Sequence, residues 1–157
     1  MGGELPEAAR RVRMAAGASG LAIAPKVMPS STRTAQEAAQ ACGCDVAQIV
    51  KSLVFRGART GQAYLLLVSG ANRVDEAKAA EAIGETLARA DAGFVRAATG
   101  FAIGGVAPFG SSAPLPTYFD PDLLAFDIVW AAAGTPLAVF AVAPTELVRA
   151  TGAKPLA

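Results

Sequence analysis

A lysine interrupts an otherwise apolar run at Ile49-Val50-Lys51-Ser52-Leu53-Val54-Phe55. A lysine so placed either snorkels its ammonium to the surface or aims it into a pocket. In a pocket it is a mobile cation with three donors, suited to a phosphate or to a polarised carbonyl oxygen. A second stretch with chemical potential is Phe101-Ala-Ile-Gly-Gly-Val-Ala-Pro-Phe-Gly110. Adjacent Gly104 and Gly105 allow positive φ and close approach of another group, and Pro108 fixes the exit of the chain. The pattern predicts a rigid loop whose bare amide N–H groups point one way and can hold a carbonyl, carboxylate or phosphate. It also suits an ordinary tight connection between strands. Ser111 and Ser112 follow, able to hydrogen-bond a ligand or to cap the next segment. Gly134-Thr135-Pro136 is a further tight turn, and Arg33 can meet an anion or cover a helix end. Asp120, Asp122 and Asp127 are acidic, but Asp120-Pro121 reads as a helix start rather than a metal site.

Composition narrows the chemistry. The chain has 157 residues and no histidine, which removes the usual general base near neutral pH and the commonest metal ligand. Ser-His-Asp triads, Cys-His dyads and zinc-hydrolase sites are excluded. Lys, Asp/Glu, Ser/Thr, backbone amides or the substrate itself must do the work. The two cysteines, Cys42 and Cys44, are too close for an ordinary disulfide and lack a second pair for a metal site. Hydrophobic residues at 53% against 17% charged mark a globular chain, whose length fits one domain. No apolar run reaches the roughly 18 residues of a membrane span. The charged N-terminal pattern is not that of a secretory signal, so a cytoplasmic location is expected. Net charge is +1, but residues 1–80 carry ten Lys/Arg against six Asp/Glu and residues 81–157 four against seven. A basic front half can meet a polyanion, or merely reflect a solvated surface.

The elements that must position these groups are legible in outline. A helix is predicted over residues 4–17, then an extended segment over 21–28, where Pro25 argues against a central strand. Thr34 with Glu37 has capping-box spacing and Gly43 suits the far end of that helix. Asp45 with Gln48 repeats the box, predicting a short helix to about residue 50 that delivers Lys51 at the junction with a strand. Residues 52–55 and 63–69 read as a hairpin-like pair around the turn at 57–61. Helices are predicted over 72–84, 91–99 and 144–152, a short one from Asp120, and strands over 128–133 and 137–142. The pattern favours a mixed sheet with flanking helices over a doubly wound parallel one.

Five blocks in this order resemble the YbaK family, which includes the editing domain of bacterial prolyl-tRNA synthetases and its free-standing relatives. They are Thr32-Arg-Thr-Ala-Gln-Glu-Ala-Ala, Gln48-Ile-Val-Lys-Ser-Leu-Val-Phe, Val68-Ser-Gly-Ala-Asn-Arg-Val-Asp, Thr99-Gly-Phe-Ala-Ile-Gly-Gly-Val-Ala-Pro-Phe-Gly and Trp130-Ala-Ala-Ala-Gly-Thr-Pro. The resemblance covers roughly residues 30–152. It implies an α/β (α+β-like) fold, a compact barrel-like mixed sheet with flanking helices. It also implies a deacylase acting in trans on the ester of Cys- or Ala-tRNA(Pro), or of a similar small amino acid. Aminoacylated tRNA would be the partner, with docking on prolyl-tRNA synthetase conceivable given the small net charge. No cofactor, metal, membrane or DNA is implied. The family lysine matches Lys51 and the family Gly-x-x-x-Pro loop matches residues 104–108, so Lys51 and Gly104 are the expected catalytic positions. The expected substrate-binding positions are Thr32, Gly105, Val106, Ala107, Pro108, Gly110, Ser111, Gly134, Thr135, Pro136 and Leu137. Catalysis in such a family is substrate-assisted, so the missing histidine is no obstacle. Ser111 and Leu137 stand where relatives often carry histidine, which puts the identity of the amino acid in question. The competing reading is a tRNA- or nucleotide-binding module that keeps the fold without turnover. A general nucleic-acid binder fits poorly with a net charge near zero and no aromatic-basic pattern.

Overall fold

The computed structural model describes residues 5–156. In chain order the elements are α1 (Glu7–Ala18), β1 (Lys26–Val27), α2 (Ala35–Cys42), β2 (Ile49–Gly57), β3 (Ala63–Ser69), α3 (Glu76–Ile83), β4 (Leu87–Arg89), α4 (Ala92–Thr99), β5 (Thr117–Phe119), β6 (Val129–Ala132), β7 (Ala138–Val142), α5 (Pro144–Thr151) and β8 (Lys154–Pro155). Two 3-10 turns, Val46–Gln48 and Pro121–Ala125, complete them. The strands form one mixed sheet in the order β1-β7-β6-β2-β3-β5-β8, with β4 paired to β2 off that path.

Strand β2 is the hub. It runs antiparallel to β3 from Val50 opposite Ser69 to Arg56 opposite Ala63. On its other edge it has two different neighbours: β6 is parallel to Ile49–Val50, and β4 is antiparallel to residues 55–57. Among the described residues, no strand lies beside residues 51–54 on that edge. Alternation along β2 and β3 sorts side chains by face. Val50, Val54, Leu65 and Leu67 join the main core with Phe101, Phe109 and Phe140. Leu53, Phe55, Leu66 and Val68 pack on the opposite face with Ala79 and Ile83 of α3. Lys51 lies opposite Val68 and therefore shares this second face.

Local chemistry sets the helix ends. Glu37 N donates to Thr34 Oγ1 at 3.1 Å and Thr34 N to Glu37 Oε1 at 3.2 Å, a reciprocal cap for α2. Such a cap is worth about 1 kcal/mol. Gly43 then closes α2 in the left-handed region at φ 68°. The predicted helices over 91–99 and 144–152 are present as α4 and α5. The predicted helix over 4–17 is α1, and Glu4 lies outside the described residues.

Two expectations need correction. The second capping box makes only the 3-10 turn Val46–Gln48, and the strand already begins at Ile49. β-Branched Ile49 and Val50 pair with Trp130 and Ala131, so Lys51 sits within a strand rather than at a junction. The helix expected from Asn72 starts at Glu76, because Asp75 takes the cap and accepts from Lys78 N at 3.1 Å. The segment over 21–28, expected as a strand or extended stretch that is not central, carries the two-residue strand β1 at the sheet edge. The sequence pattern predicts none of the short strands β4, β5 and β8. No helix among the described residues is long and apolar enough to cross a membrane.

One carboxylate locks the β2–β3 turn to the chain entering β4. Glu85 is only 8% exposed. It accepts from Thr60 Oγ1 and Tyr64 Oη, both at 2.6 Å, and from the amides of Arg59 and Thr60 at 3.1 Å. The Thr60 and Tyr64 hydroxyls hold its pKa down from 4.5 to about 2. A depressed folded-state pKa stabilises the protein above the unfolded value, and the benefit is lost as pH falls through the folded one. Glu85→Gln is therefore expected to lower the urea midpoint at pH 7 and to flatten the loss of stability between about pH 4.5 and 2. Acid titrations monitored by circular dichroism that coincide for the two proteins would refute this.

Candidate functional site

The gap along β2 opens into a cavity of about 790 Å³ that straddles the sheet. The register explains the opening. Gly57 N donates to Gln62 O and Ile49 O accepts from Gly70 N, so odd-numbered residues of β2 turn their backbone groups toward β3. Even-numbered ones face the other edge, where Ser52 and Val54 meet no strand. The walls come from both faces: Val50, Val54, Val95 and Val106 on one, Leu53, Phe55 and Trp130 on the other. Charge in the lining is lopsided, with Arg33, Lys51, Arg73 and Arg89 against Glu76 alone. Three of these four cations come from the basic front half of the sequence.

Lys51 reaches the lining half-buried, and its ammonium donates to the backbone carbonyl oxygen of Asn72. Burial pushes its pKa below the ordinary lysine value, the Arg73 guanidinium pushes the same way, and the Asp120 carboxylate pulls it back. Its neighbour Ser52 also lines the cavity, with a buried hydroxyl oxygen that has no hydrogen-bond partner among the described residues. Neither Ser52 nor Asn72 was singled out from sequence. The signal for Ser52 was the one that flagged Lys51, a polar residue in an apolar strand. Asn72 had none, because its partners are distant in the chain.

The glycine loop curls against the cavity. Gly104 and Val106 line it, while Ala107, Pro108 and Phe109 are buried behind. Gly105 N donates back to Ala102 O at 3.0 Å. No acceptor among the described residues takes the amide N–H of Gly104, Val106 or Ala107. Gly104 has φ +93°, and a Cβ there would stand 2.6 Å from Arg33 Cγ. A Cβ on Gly105 would stand 2.8 Å from the Thr135 Cα, so the two glycine-containing turns touch backbone to backbone. The second turn is tied in its own right: Thr32 N and Oγ1 both donate to Pro136 O, at 2.7 and 2.9 Å.

Of the positions expected from sequence, Thr32, Lys51, Gly104 and Val106 line the cavity together. Gly105, Thr135 and Pro136 form the seam behind it, and buried Gly134 rests on Ala8 of α1. Gly110 at φ +86° lies against Arg11 and Val12 of α1. Ser111 and Leu137 are outside the lining, and Leu137 is 44% exposed. The cysteines are free, and burial, helped by neighbouring Cys44, lifts the Cys42 thiol to about 11, far from a thiolate at neutral pH. The described residues contain no group of His, Cys, Asp or Glu suited to a metal ion.

The fold and site define an α/β protein whose mixed sheet is split over a cleft lined by Arg33, Lys51, Arg73 and Arg89. The family description of the aminoacyl-tRNA editing domain matches residues 29–150, and the chain belongs to that family. It is 32% identical to the uncharacterized protein YwhH of Bacillus subtilis (strain 168) over 118 residues, 75% of this chain and 74% of that protein. It resembles the crystal structure of a proposed trans-editing enzyme for prolyl-tRNA synthetase, at 52% identity and TM-score 0.90, covering 97% and 96% of the two chains. A scaffold structure from computational epitope grafting matches at 51% identity and TM-score 0.89, over 96% of each chain. Hypothetical protein APE2540 matches at 31% identity and TM-score 0.85, over 92% and 96%. These neighbours share the mixed α/β architecture expected from the sequence.

Two substitutions test this geometry. Gly105→Ala must push the turns apart against backbone, so a loss of about 1–3 kcal/mol is expected in denaturant unfolding, as for other overpacked sites. A wild-type midpoint would mean the turns do not abut. Ser52→Ala removes a buried hydroxyl without a partner, and the thermal midpoint is expected to rise rather than fall. A lower midpoint would show that the hydroxyl is satisfied in solution.

Proposed function

We propose that this chain is an aminoacyl-tRNA deacylase that hydrolyses the ester of mischarged tRNA(Pro) carrying a small amino acid such as cysteine or alanine. The observation that carries the reading is the placement of Lys51 in a cationic cavity beside a loop with undonated amides. Family membership and the resemblance to a proposed prolyl-tRNA trans-editing protein support it. Arg33, Arg73 and Arg89 suit the phosphates of the single-stranded tRNA 3′ end. Lys51 steadies the terminal phosphate or the oxyanion that develops on the ester carbonyl. The amides around Gly104 hold the carbonyl or adjacent groups of the aminoacyl moiety.

In the reaction, water adds to the carbonyl carbon and the bond to the ribose oxygen breaks. That oxygen leaves with a proton, giving free amino acid and tRNA with its terminal hydroxyl restored. With no histidine available, a ribose hydroxyl, the bound water or a substrate thiol moves the proton, and the protein contributes position and charge. The chain works in trans, and docking on prolyl-tRNA synthetase would help a protein of net charge +1 find its tRNA.

The deciding assay is deacylation of Cys-, Ala-, Ser- and Pro-tRNA(Pro) by the wild type and Lys51→Ala. One mischarged species is expected to be hydrolysed and Pro-tRNA(Pro) spared. Lys51→Ala is expected to lose on the order of a hundredfold in rate, the scale of one lost oxyanion contact. Binding of tRNA without ester loss would instead favour the non-catalytic module. Each of Arg33→Gln, Arg73→Gln and Arg89→Gln is expected to weaken tRNA binding and to reduce the slope of log K against log salt by roughly 0.7. Unchanged slopes would remove these arginines from the phosphate path.

A further inference from the structure

Lys51 is held by a group that belongs to a larger network. The acceptor of its ammonium is a backbone carbonyl, that of Asn72. The Asn72 side chain is anchored in turn, with Nδ2 donating to Asp120 Oδ2 and to Asp122 Oδ2, both at 2.8 Å. The two hydrogens of the amide thus serve two carboxylates. Asp120 is itself fixed, since Oδ2 also accepts from Ser69 N at 3.2 Å and Oδ1 from Asp122 N at 2.9 Å. The turn between them closes through Asn72 N donating to Ser69 O at 2.9 Å. The end of β3, the loop that leads to α3 and the 3-10 turn after β5 therefore converge on one lysine.

We infer that Asp120, acting through the side-chain amide of Asn72, holds the Lys51 ammonium at its station in the cavity, so that Asp120 and Asn72 are positioning residues for Lys51. The inference rests on the role proposed for Lys51 above. The contact to Lys51 cannot be deleted by mutation, because it is a main-chain carbonyl. Its anchor can be, since Asn72→Ala leaves the carbonyl in the chain and removes only the tether. A lysine on four rotatable bonds has many positions without a fixed acceptor, and displacement by about 1 Å can cost a hundredfold in rate. Charge acts in the same direction. Asp120 favours the ammonium, whereas Arg73 opposes it, and Arg33, Arg89 and Glu76 line the same cavity.

The test compares wild type, Asn72→Ala and Asp120→Asn in the full chain by two readouts. The first is the 13Cε titration of Lys51 by NMR, assigned by loss of the signal in Lys51→Arg. The second is kcat and KM on whichever mischarged tRNA(Pro) the wild type hydrolyses. In both variants the Lys51 midpoint is expected to fall by roughly 0.5–1 pH unit, as it loses a hydrogen bond or an opposite charge. In both, kcat is expected to drop roughly tenfold to a hundredfold with KM little changed. A Lys51 titration that stays at the wild-type midpoint in both variants overturns the inference, even where kcat falls, because the effect would then be general loosening. Should Asp120→Asn fail to fold, Asn72→Ala decides alone, because it leaves the bonds of Asp120 to Ser69 N and Asp122 N in place. Should the wild type hydrolyse no ester, the deacylase reading fails, while the titration still judges the network.

Discussion

Everything at the site depends on one strand having more neighbours than its edge can seat. Strand β2 is nine residues long and is fully paired to β3 on one side. On the other, β6 holds its first two residues and β4 its last three, and the two partners run in opposite directions. A parallel and an antiparallel neighbour cannot merge into one continuous strand, so the ladder must break between them. The break leaves polar backbone in the middle of a sheet, which is costly unless water or a ligand completes it. The fold thus builds its cavity by denying a strand its partner. The cavity borrows its rigidity from the very sheet that it interrupts.

A second constraint keeps the mouth of that break in shape. The loop over residues 104–108 and the turn over residues 134–136 approach so closely that a methyl group at Gly105 would overlap Thr135 backbone. Thr32 closes the arrangement from a third segment, with two donors on the one carbonyl of Pro136. Behind them stands α1, which contacts Gly134 through Ala8 and Gly110 through Arg11 and Val12. The Arg11 guanidinium stacks on the Phe101 ring at 4.2 Å and donates to Thr99 O at 3.0 Å, pinning the start of the loop. Helix α1 lies outside the stretch matched to the editing domain, yet it buttresses both turns. The glycines here are a packing requirement first. Apart from the bond of Gly105 N to Ala102 O, the loop is held by its neighbours, and the amides of Gly104, Val106 and Ala107 meet no acceptor among the described residues.

What could be read from sequence follows from the range of the interaction involved. The cap at Thr34 and Glu37 spans three residues and was visible at once, as was the hairpin of β2 and β3 through its apolar runs. Lys51 was visible because it breaks such a run. The start of β2 was misplaced because a capping-box pattern was read as a helix, when tertiary pairing of Ile49 and Val50 with β6 decides for strand. Strands of two and three residues carry no periodicity, so β4, β5 and β8 are invisible in the sequence, and with β4 goes Arg89. Asn72 looked like a helix start. Its conformation is set by carboxylates 48 and 50 residues away, a distance over which local pattern says nothing.

The surroundings of Lys51 suit the proposed histidine-free chemistry. Burial and Arg73 both disfavour its charge, yet Asp120 and the Asn72 carbonyl favour it. On the deacylase proposal, a negative charge developing in the cavity meets a cation that its strand and the Asn72 carbonyl already hold in place. That is the physical content of transition-state stabilisation by a preorganised cation. The three arginines in the lining act at longer reach, and only one carboxylate, Glu76, offsets them there. An anion entering the cleft meets a field already assembled. On the proposed reading, the strand gap admits it, the two turns hold the cleft open, and the substrate brings the groups that move the proton.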